Sequence, residues 1–225
     1  MTIDIISAVT KIFDSFLEFG PVKKVIEKNV LKLRFFNLVD FAKHPKDIDD
    51  YPYGGGSGMI MKIEPIYKAL MKAKEGFDEN YVILLSPQGK LLNQKKVREL
   101  LNKKHIILIC GRYKGIDARI EFFIDEEISI GDYILSGGEI AAMVLIDAIS
   151  RLLPGAVNDP NSIQTDSFED GLLDAPYYTR PVDFMGYKVP DVLLSGDHKK
   201  IEEWRKKERI KRTLQKRPDL LNKKE

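Results

Sequence analysis

The chain has 225 residues, of which 44% are hydrophobic and 31% are charged, a composition typical of a globular protein and not of a disordered or fibrous one. No apolar run approaches the ~20 residues of a membrane-spanning helix, and the N-terminus lacks the features of a signal peptide, so we expect a cytoplasmic protein. The single cysteine, Cys110, excludes an intrachain disulfide and a cysteine-based metal cluster, and its apolar neighbours indicate a buried structural thiol.

Charge is distributed unevenly along the chain, although the net charge is only +2. Residues 198–225 contain 12 Lys and Arg against 5 Asp and Glu, whereas residues 1–197 contain 24 against 29. A basic C-terminal segment suits a polyanionic partner, most simply a nucleic acid. A solvated helical face without a partner explains the charge equally well at this point.

The N-terminal part of the chain predicts strands and helices in alternation. Residues 3–8 and 31–38 have the patterns of strands, with helical turns between them. Residues 47–58 are rich in Gly, Asp and Tyr and predict a loop that contributes nothing to the core. Residues 59–74 predict a helix with Pro65 near its start.

Two short, continuously apolar runs follow at residues 81–86 and 106–110, joined by a helical segment at 93–103. Runs of this kind are typical of strands that are buried on both faces of a parallel sheet. A further helix is predicted over residues 140–153. Strands that alternate with helices favour an α/β fold with a parallel sheet.

The pattern changes after residue 155, which predicts two domains. We assign residues 1–155 to the α/β domain and the polar, aperiodic residues 156–171 to a flexible linker. Residues 172–225 are assigned to a small basic helical domain, with a helical pattern from residue 191 to the end. Trp204 is expected in the core of that domain and not as a platform for base stacking.

Glycine-bearing loops follow the buried strands, at residues 85–89, 111–117 and 130–139. Because ligands bind at the carboxyl ends of strands in open parallel sheets, the three loops predict one pocket. The last loop places Gly137 and Gly138 before a helix, with Glu139 in its first turn, where the helix dipole favours a negative charge. A tight turn without ligand is the alternative. None of the loops matches the dinucleotide or phosphate-loop motifs, which disfavours NAD and NTP sites.

Eight motifs along nearly the whole chain carry a family resemblance. They are YGGGSGM (53–59), LSPQG (85–89), CGRYKG (110–115), SIGDYILSGGE (129–139), DSF (166–168), LLDAPYYTRP (172–181), LSGDH (194–198) and RPDLL (217–221). In this order they resemble the bacterial tRNA (guanine-N1)-methyltransferases, a family of the knotted methyltransferase superfamily called SPOUT. One such motif is weak support, whereas eight in the family's order are specific.

The resemblance implies a parallel-sheet SPOUT domain with a deep trefoil knot, a rare exception to the rules of chain topology. It implies S-adenosylmethionine as cofactor and a homodimer with each active site at the subunit interface. The substrate would be the guanosine at tRNA position 37, next to the anticodon, which becomes 1-methylguanosine. By position in the motifs, the cofactor-binding residues would be Leu84, Leu85, Pro87, Gly111, Tyr113, Ile130, Gly131, Tyr133, Leu135, Gly137 and Gly138.

The chemistry of methyl transfer to guanine N1 requires a base, because N1 carries a proton at neutral pH. The resemblance places Asp166 as this general base and Arg151 as the cation that stabilises negative charge on O6. From the residues alone, Asp166 is better interpreted as a turn residue, and Arg151 as part of a surface salt bridge. The other positions that the resemblance assigns to substrate binding are Ser167, Asp174, Gly55, Gly56 and His198.

One departure from the family pattern concerns the cofactor pocket. Lys114 stands where the family usually has Glu after Gly-Arg-Tyr, so a cation replaces an acid near the positive sulfonium. Two alternatives therefore stay open: a SPOUT enzyme that methylates another RNA position, and a non-catalytic RNA-binding protein that has lost cofactor use. The family also carries an expectation of Mg²⁺, for which no carboxylate cluster in the sequence supplies a site.

Overall fold

A five-stranded parallel sheet forms the centre of the first structural unit of the protein. The structure is a computed structural model, and it describes residues 1–159 and 161–221. The chain divides into two units, Met1–Asn158 and the residues from Asp159 onward. In chain order the strands are β1 (Thr2–Ser7), β2 (Lys32–Asn37), β3 (Asp49–Asp50), β4 (Ile60–Met61), β5 (Tyr81–Leu91), β6 (His105–Cys110), β7 (Glu126–Ser129), β8 (Asp183–Phe184) and β9 (Tyr187–Lys188).

The helices in chain order are α1 (Gly20–Glu27), α2 (Ile63–Lys74), α3 (Gln94–Leu100), α4 (Glu139–Leu152), α5 (Asn161–Gln164), α6 (Asp191–Leu194) and α7 (His198–Lys216). Short 3₁₀ helices occupy Thr10–Phe13, Ser15–Glu18, Leu38–Phe41, Ala118–Phe123 and Pro218–Leu220. No helix among the described residues is long and apolar enough to cross a membrane.

The main sheet has the strand order β2-β1-β6-β5-β7, and each neighbouring pair is parallel. The predicted α/β fold with a central parallel sheet is therefore confirmed. Because parallel strands all point the same way, their carboxyl ends lie at one edge of the sheet. This edge carries the ends of β1, β6 and β7, and the loops that follow them.

Both faces of the sheet are covered by helices, as the apolar runs predict. Alternate residues of β6 enter two separate cores: Ile106, Leu108 and Cys110 lie in one, and Ile107 and Ile109 in the other. The first core is closed by α1, α3 and α4, and the second by α2. All six residues of β6 are buried. Successive side chains of a strand point to opposite faces, and both faces are covered here, so residues 106–110 are all apolar.

The segment before α2 differs from its prediction. Residues 47–58 were expected to add nothing to the core, but Ile48 is only 8% exposed and packs in the second core. Its neighbours form β3, which pairs antiparallel with β4 and keeps residues 60–61 extended. The helix therefore begins at Ile63 and not at residue 59, with Pro65 in its first turn, where no backbone donor is needed.

Strand β5 also differs from its prediction, because it resumes after the first glycine-bearing loop. Leu85 and Lys90 both pair with Ile128 of β7, so the four residues between them bulge out of the ladder. Gly89 lies so close to the backbone of Glu127 and Ile128 that an added Cβ atom would overlap them. A long bulge of this kind bends the strand and presents its residues at the sheet edge.

The second unit contains α5, the hairpin β8–β9, α6 and α7. Helices from residue 191 onward were predicted and are confirmed by α6 and α7. Asp197 caps α7 by accepting a hydrogen bond from the Lys200 N–H at 3.2 Å. Trp204, expected in a core, is only half-buried and lies beside Tyr178 with ring centroids 6.4 Å apart.

Candidate functional site

A cavity of about 610 Å³ opens at the bulge of β5 and the carboxyl ends of β6 and β7. Three loops form its walls: the first pocket loop (residues 86–89), the second (111–117) and the third (130–138). Its size lies within the range of sites for small molecules and cofactors. All the residues assigned to the cofactor from the sequence line it, namely Leu84, Leu85, Pro87, Gly111, Tyr113, Ile130, Gly131, Tyr133, Leu135, Gly137 and Gly138.

The second pocket loop is tightly held to the chain around β4. The Lys114 N–H donates to the Met59 carbonyl at 3.1 Å, and the Met61 N–H donates to the Gly115 carbonyl at 3.0 Å. Tyr113 has a φ of 60°, which is the left-handed region that side chains rarely adopt. A strained residue of this kind is often found where a loop binds a ligand.

The third pocket loop lies so close to the second that Gly137 and Gly138 have no room for a side chain. The Gly138 N–H donates to the Gly111 carbonyl at 2.8 Å, and a Cβ atom at Gly138 would lie 2.9 Å from the Cα of Cys110. A Cβ atom at Gly137 would overlap the Glu139 carboxylate. The paired glycines are therefore required by contact between two loops and by the helix start, and not only by access for a ligand.

A buried carboxylate lies behind these two loops. Glu139, the first residue of α4, is only 1% exposed. The Ser7 hydroxyl donates to its Oε1 at 2.7 Å, and Arg112 Nη1 donates to its Oε2 at 3.1 Å. The sequence predicts Glu139 at a helix N-terminus but does not reveal these partners, because they come from distant parts of the chain.

The pocket carries charges of both signs. Lys114 and Arg112 line it, together with Glu121 and Glu127. The side chain of Lys114, which departs from the family pattern, lies against Gly58. A Cβ atom added at Gly58 would be only 2.7 Å from the Lys114 Cγ. The acids were missed from the sequence, since they fall outside the glycine loops: Glu121 in the 3₁₀ helix Ala118–Phe123 and Glu127 in β7. The cavity is therefore lined by two acids although Lys114 stands where the family pattern has one.

Cys110 is the last residue of β6 and is fully buried beside the pocket. Burial raises the pKa of its thiol well above the ordinary value, and the nearby Glu139 carboxylate acts in the same direction. The sequence prediction of a buried structural thiol is confirmed.

Three of the proposed catalytic and substrate residues lie close together in the sequence of the second unit. Asp166 is half-buried in a turn after α5, where its N–H donates to the Ile163 carbonyl at 3.2 Å. The Ser167 hydroxyl accepts from the Asp174 N–H at 3.0 Å, which joins two of the assigned positions. Desolvation raises the pKa of Tyr177, and a hydrogen bond with Asp174 adds to this effect.

This segment is held to α7 by side-chain contacts. Thr213 is fully buried, and its hydroxyl accepts from the Leu173 N–H at 2.9 Å and donates to the Arg209 carbonyl at 2.8 Å. Arg209 also pairs with Asp170 at 2.5 Å. The backbone immediately before Asp174 is therefore fixed by residues of the long helix.

The remaining assigned residues lie outside the residues that line the cavity. Arg151 is half-buried in the last turn of α4. Gly55 and Gly56 are exposed, with φ values of 80° and 122°. His198 is the exposed first residue of α7. Within residues 1–159 and 161–221, no group of three or more His, Cys, Asp and Glu side chains is placed to hold a metal ion.

Proteins of known sequence or structure are similar to this chain over nearly its whole length. A tRNA (guanine-N(1)-)-methyltransferase from Dictyoglomus turgidum is 52% identical over 225 residues, which cover 99% of this chain and 91% of that protein. Another from Buchnera aphidicola subsp. Baizongia pistaciae is 52% identical over 227 residues, with the same coverage of 99% and 91%. The crystal structure of tRNA (m1G37) methyltransferase from Aquifex aeolicus is similar with a TM-score of 0.80 and 42% identity, covering 98% of this chain and 94% of that one.

The family comparison covers almost the entire chain. The model described as tRNA (Guanine-1)-methyltransferase TrmD matches residues 1–223, which include both structural units and all eight motifs. Since relatives of about half-identical sequence also match end to end, the agreement does not depend on the glycine loops alone. The chain belongs to the tRNA (guanine-1)-methyltransferase TrmD family.

Proposed function

We propose that the chain transfers a methyl group from S-adenosylmethionine to N1 of the guanosine at position 37 of tRNA. Its tRNA (guanine-N1)-methyltransferase activity follows from membership of the family along nearly the full length. Position 37 is supported by the name of the similar Aquifex aeolicus protein, an m1G37 methyltransferase. The observation that carries the proposal is that all the residues assigned to the cofactor from the motifs line one cavity.

The cavity has the chemistry that the cofactor requires. S-adenosylmethionine supplies a reactive methyl group on a positively charged sulfur, next to a purine nucleoside and an amino acid group. Leu85, Ile130 and Leu135 give the cavity apolar walls that suit a purine, and Gly111 lines it without a side chain. Glu121 and Glu127 bring negative charge to the same walls.

The base in the proposed mechanism is Asp166. Its carboxylate would accept the N1 proton of guanine while N1 forms its bond to the methyl carbon. The bond between that carbon and the sulfur would break, so that S-adenosylhomocysteine leaves, and the proton would pass from the carboxyl group to water afterwards. Loss of this proton moves negative charge towards the guanine O6. The Arg151 guanidinium is proposed to stabilise that charge by donating hydrogen bonds to O6.

The remaining substrate residues position the nucleotide. Ser167 and Asp174 are linked by their own hydrogen bond, so the two are proposed to contact the target base as a pair. Gly55, Gly56 and His198 are proposed to contact the tRNA at the surface, where all three are exposed. No ligand set for Mg²⁺ is part of this mechanism.

The architecture of the working enzyme is part of the proposal. We propose a deep trefoil knot around the cofactor loops, a homodimer with each active site at the subunit interface, and a cytoplasmic location. The basic residues of the second unit are proposed to bind the phosphates of the tRNA, since α7 alone carries Lys and Arg on most of its turns. These features are supported by the family to which the chain belongs.

Calorimetric titration with S-adenosylmethionine, combined with methyl transfer by Asp166→Ala, tests the proposal. We expect the wild type to bind the cofactor, and Asp166→Ala to bind it with unchanged affinity but to lose turnover by a factor of at least ~100. Glu75→Gln, an exposed acid directly after α2, is the matched control and should keep normal turnover. Near-normal turnover by Asp166→Ala would eliminate Asp166 as the base.

A further inference from the structure

We infer that Glu139 is a positioning residue of the cofactor pocket, whose buried carboxylate holds Arg112 and thereby fixes the second pocket loop against the third. The inference rests on the proposed function, because it concerns the affinity of the same cavity for S-adenosylmethionine. No role in the chemical step is assigned to Glu139. It acts on the cofactor only through the two loops.

The first support is the set of hydrogen bonds that converge on this carboxylate. Ser7 donates to one oxygen at 2.7 Å, and Arg112 donates to the other at 3.1 Å. The Ser7 hydroxyl itself accepts from the Val9 N–H at 2.9 Å, which fixes its orientation. One side chain thus links the end of β1, the second pocket loop and the start of α4.

The second support is the close approach of the two loops at the same place. Arg112 and Gly137 form a β-bridge, and the Gly138 N–H donates to the Gly111 carbonyl at 2.8 Å. A Cβ atom at Gly137 would overlap Oε2 of Glu139 and lie 3.1 Å from the Arg112 guanidinium. The Glu139–Arg112 pair therefore occupies the space behind the loops and sets their separation.

The third support is the cost of leaving either charge alone. Glu139 is 1% exposed, and a buried carboxylate is strongly unfavourable unless it is paired and hydrogen-bonded. Arg112 lines the cavity, so without Glu139 its charge would be uncompensated beside a cofactor that carries a positive sulfonium. The position at the start of α4 adds the favourable field of the helix N-terminus.

A purely structural role for Glu139 makes a different prediction. Asp4 provides the comparison, because it is also fully buried and also accepts from an arginine, Arg34, at 2.7 Å. Asp4 lies in the first half of β1 and pairs with Ile107 of β6. It is therefore not at the carboxyl edge of the sheet, where the pocket loops lie. Loss of either carboxylate is expected to reduce stability, but only loss of Glu139 should change cofactor affinity.

The test is a double-mutant cycle on the full chain, with calorimetric Kd values for S-adenosylmethionine and thermal unfolding measured for each variant. We expect Glu139→Gln to weaken binding by about tenfold or more, and Arg112→Met to weaken it similarly. The double variant should be no weaker than the worse single variant, because the two residues act as one unit. Asp4→Asn should lower the unfolding temperature and leave the Kd unchanged.

Two results would overturn the inference: a wild-type Kd for Glu139→Gln, or losses for the two single variants that add fully in the double variant. If Glu139→Gln does not fold, Ser7→Ala provides the test, since it removes one hydrogen bond to the carboxylate and is expected to weaken binding about threefold. A wild-type Kd for Ser7→Ala would then contradict the inference. Failure of the wild type to bind the cofactor would instead contradict the proposed function.

Discussion

At the scale of single residues, the charge of Lys114 is the main departure of this chain from the pattern of its family. The side chain lines the cavity beside Arg112, so two cations face a site proposed for a positively charged cofactor. Glu121 and Glu127 line the same cavity, and Glu139 neutralises Arg112. The cavity therefore carries acids as well as cations, although Lys114 stands where the family pattern has an acid.

Lys114→Glu is expected to strengthen the binding of S-adenosylmethionine. Reversing one charge near the sulfonium should lower the Kd about three- to tenfold at low salt, and the gain should shrink as salt is added. Lys32→Glu, at an exposed position of β2, is the matched control and should leave the Kd unchanged. A Kd that rises or stays constant for Lys114→Glu would show that Lys114 does not repel the cofactor.

Cys110 is expected to resist alkylation in the folded protein. Burial raises the pKa of its thiol, so at about pH 8 the group stays protonated and is also inaccessible to reagent. Iodoacetamide labelling followed by mass measurement should give no adduct in the native state and one adduct in denaturant. Rapid native labelling would contradict the burial of β6 at its carboxyl end.

At the scale of elements, the long bulge in β5 shapes the first wall of the pocket. The ladder with β7 is interrupted between Leu85 and Lys90, and Gly89 permits the backbone of β5 to pass close to Glu127. A strand that simply ended at residue 86, as the sequence predicts, would leave Pro87 and its neighbours in a free loop. Pairing on both sides of the bulge holds them in place instead.

Gly89→Ala is expected to destabilise the protein strongly, because the added methyl group would overlap the backbone of β7. We expect the free energy of unfolding to fall by more than about 2 kcal/mol, measured by urea denaturation. Gln88→Ala, at the exposed neighbouring position, is the control and should change it by less than about 0.5 kcal/mol. Equal stability of the two variants would mean that the loop is not held against β7.

Local patterns in the sequence predicted several of the main strands and helices, but they did not predict the contacts between distant segments. The apolar run at 106–110 and the helical pattern at 93–103 predicted β6 and α3, because burial in a strand and helical periodicity can be read from neighbouring residues. The motifs likewise predicted the family, which was confirmed. The bulge in β5, the buried Ile48 and the partners of Glu139 depend on pairing between remote segments, which no local period reveals.

At the scale of the whole molecule, the proposed catalytic residues belong to different structural units. Arg151 ends α4 in the first unit, and Asp166 follows α5 in the second. In the proposed homodimer each active site lies at the subunit interface, so residues from different units can belong to one site. We propose that one active site takes Arg151 from one copy of the chain and Asp166 from the other.

Mixing two inactive variants tests this arrangement. Arg151→Ala and Asp166→Ala are each expected to be nearly inactive, whereas a heterodimer of the two contains one active site with both native residues. After unfolding and refolding together in equal amounts, about a quarter of wild-type activity should return if subunits pair at random. Each variant refolded alone is the control, and a mixture no more active than those controls would contradict active sites shared between subunits.

The central claim, methyl transfer to guanosine N1 at position 37, is tested most directly with unmodified tRNA transcripts. Two transcripts that differ only in having guanosine or adenosine at this position are incubated with the wild-type protein and labelled S-adenosylmethionine. We predict labelling of the guanosine transcript alone, with 1-methylguanosine recovered from position 37. Equal labelling of both transcripts, or labelling of neither, would contradict the claim.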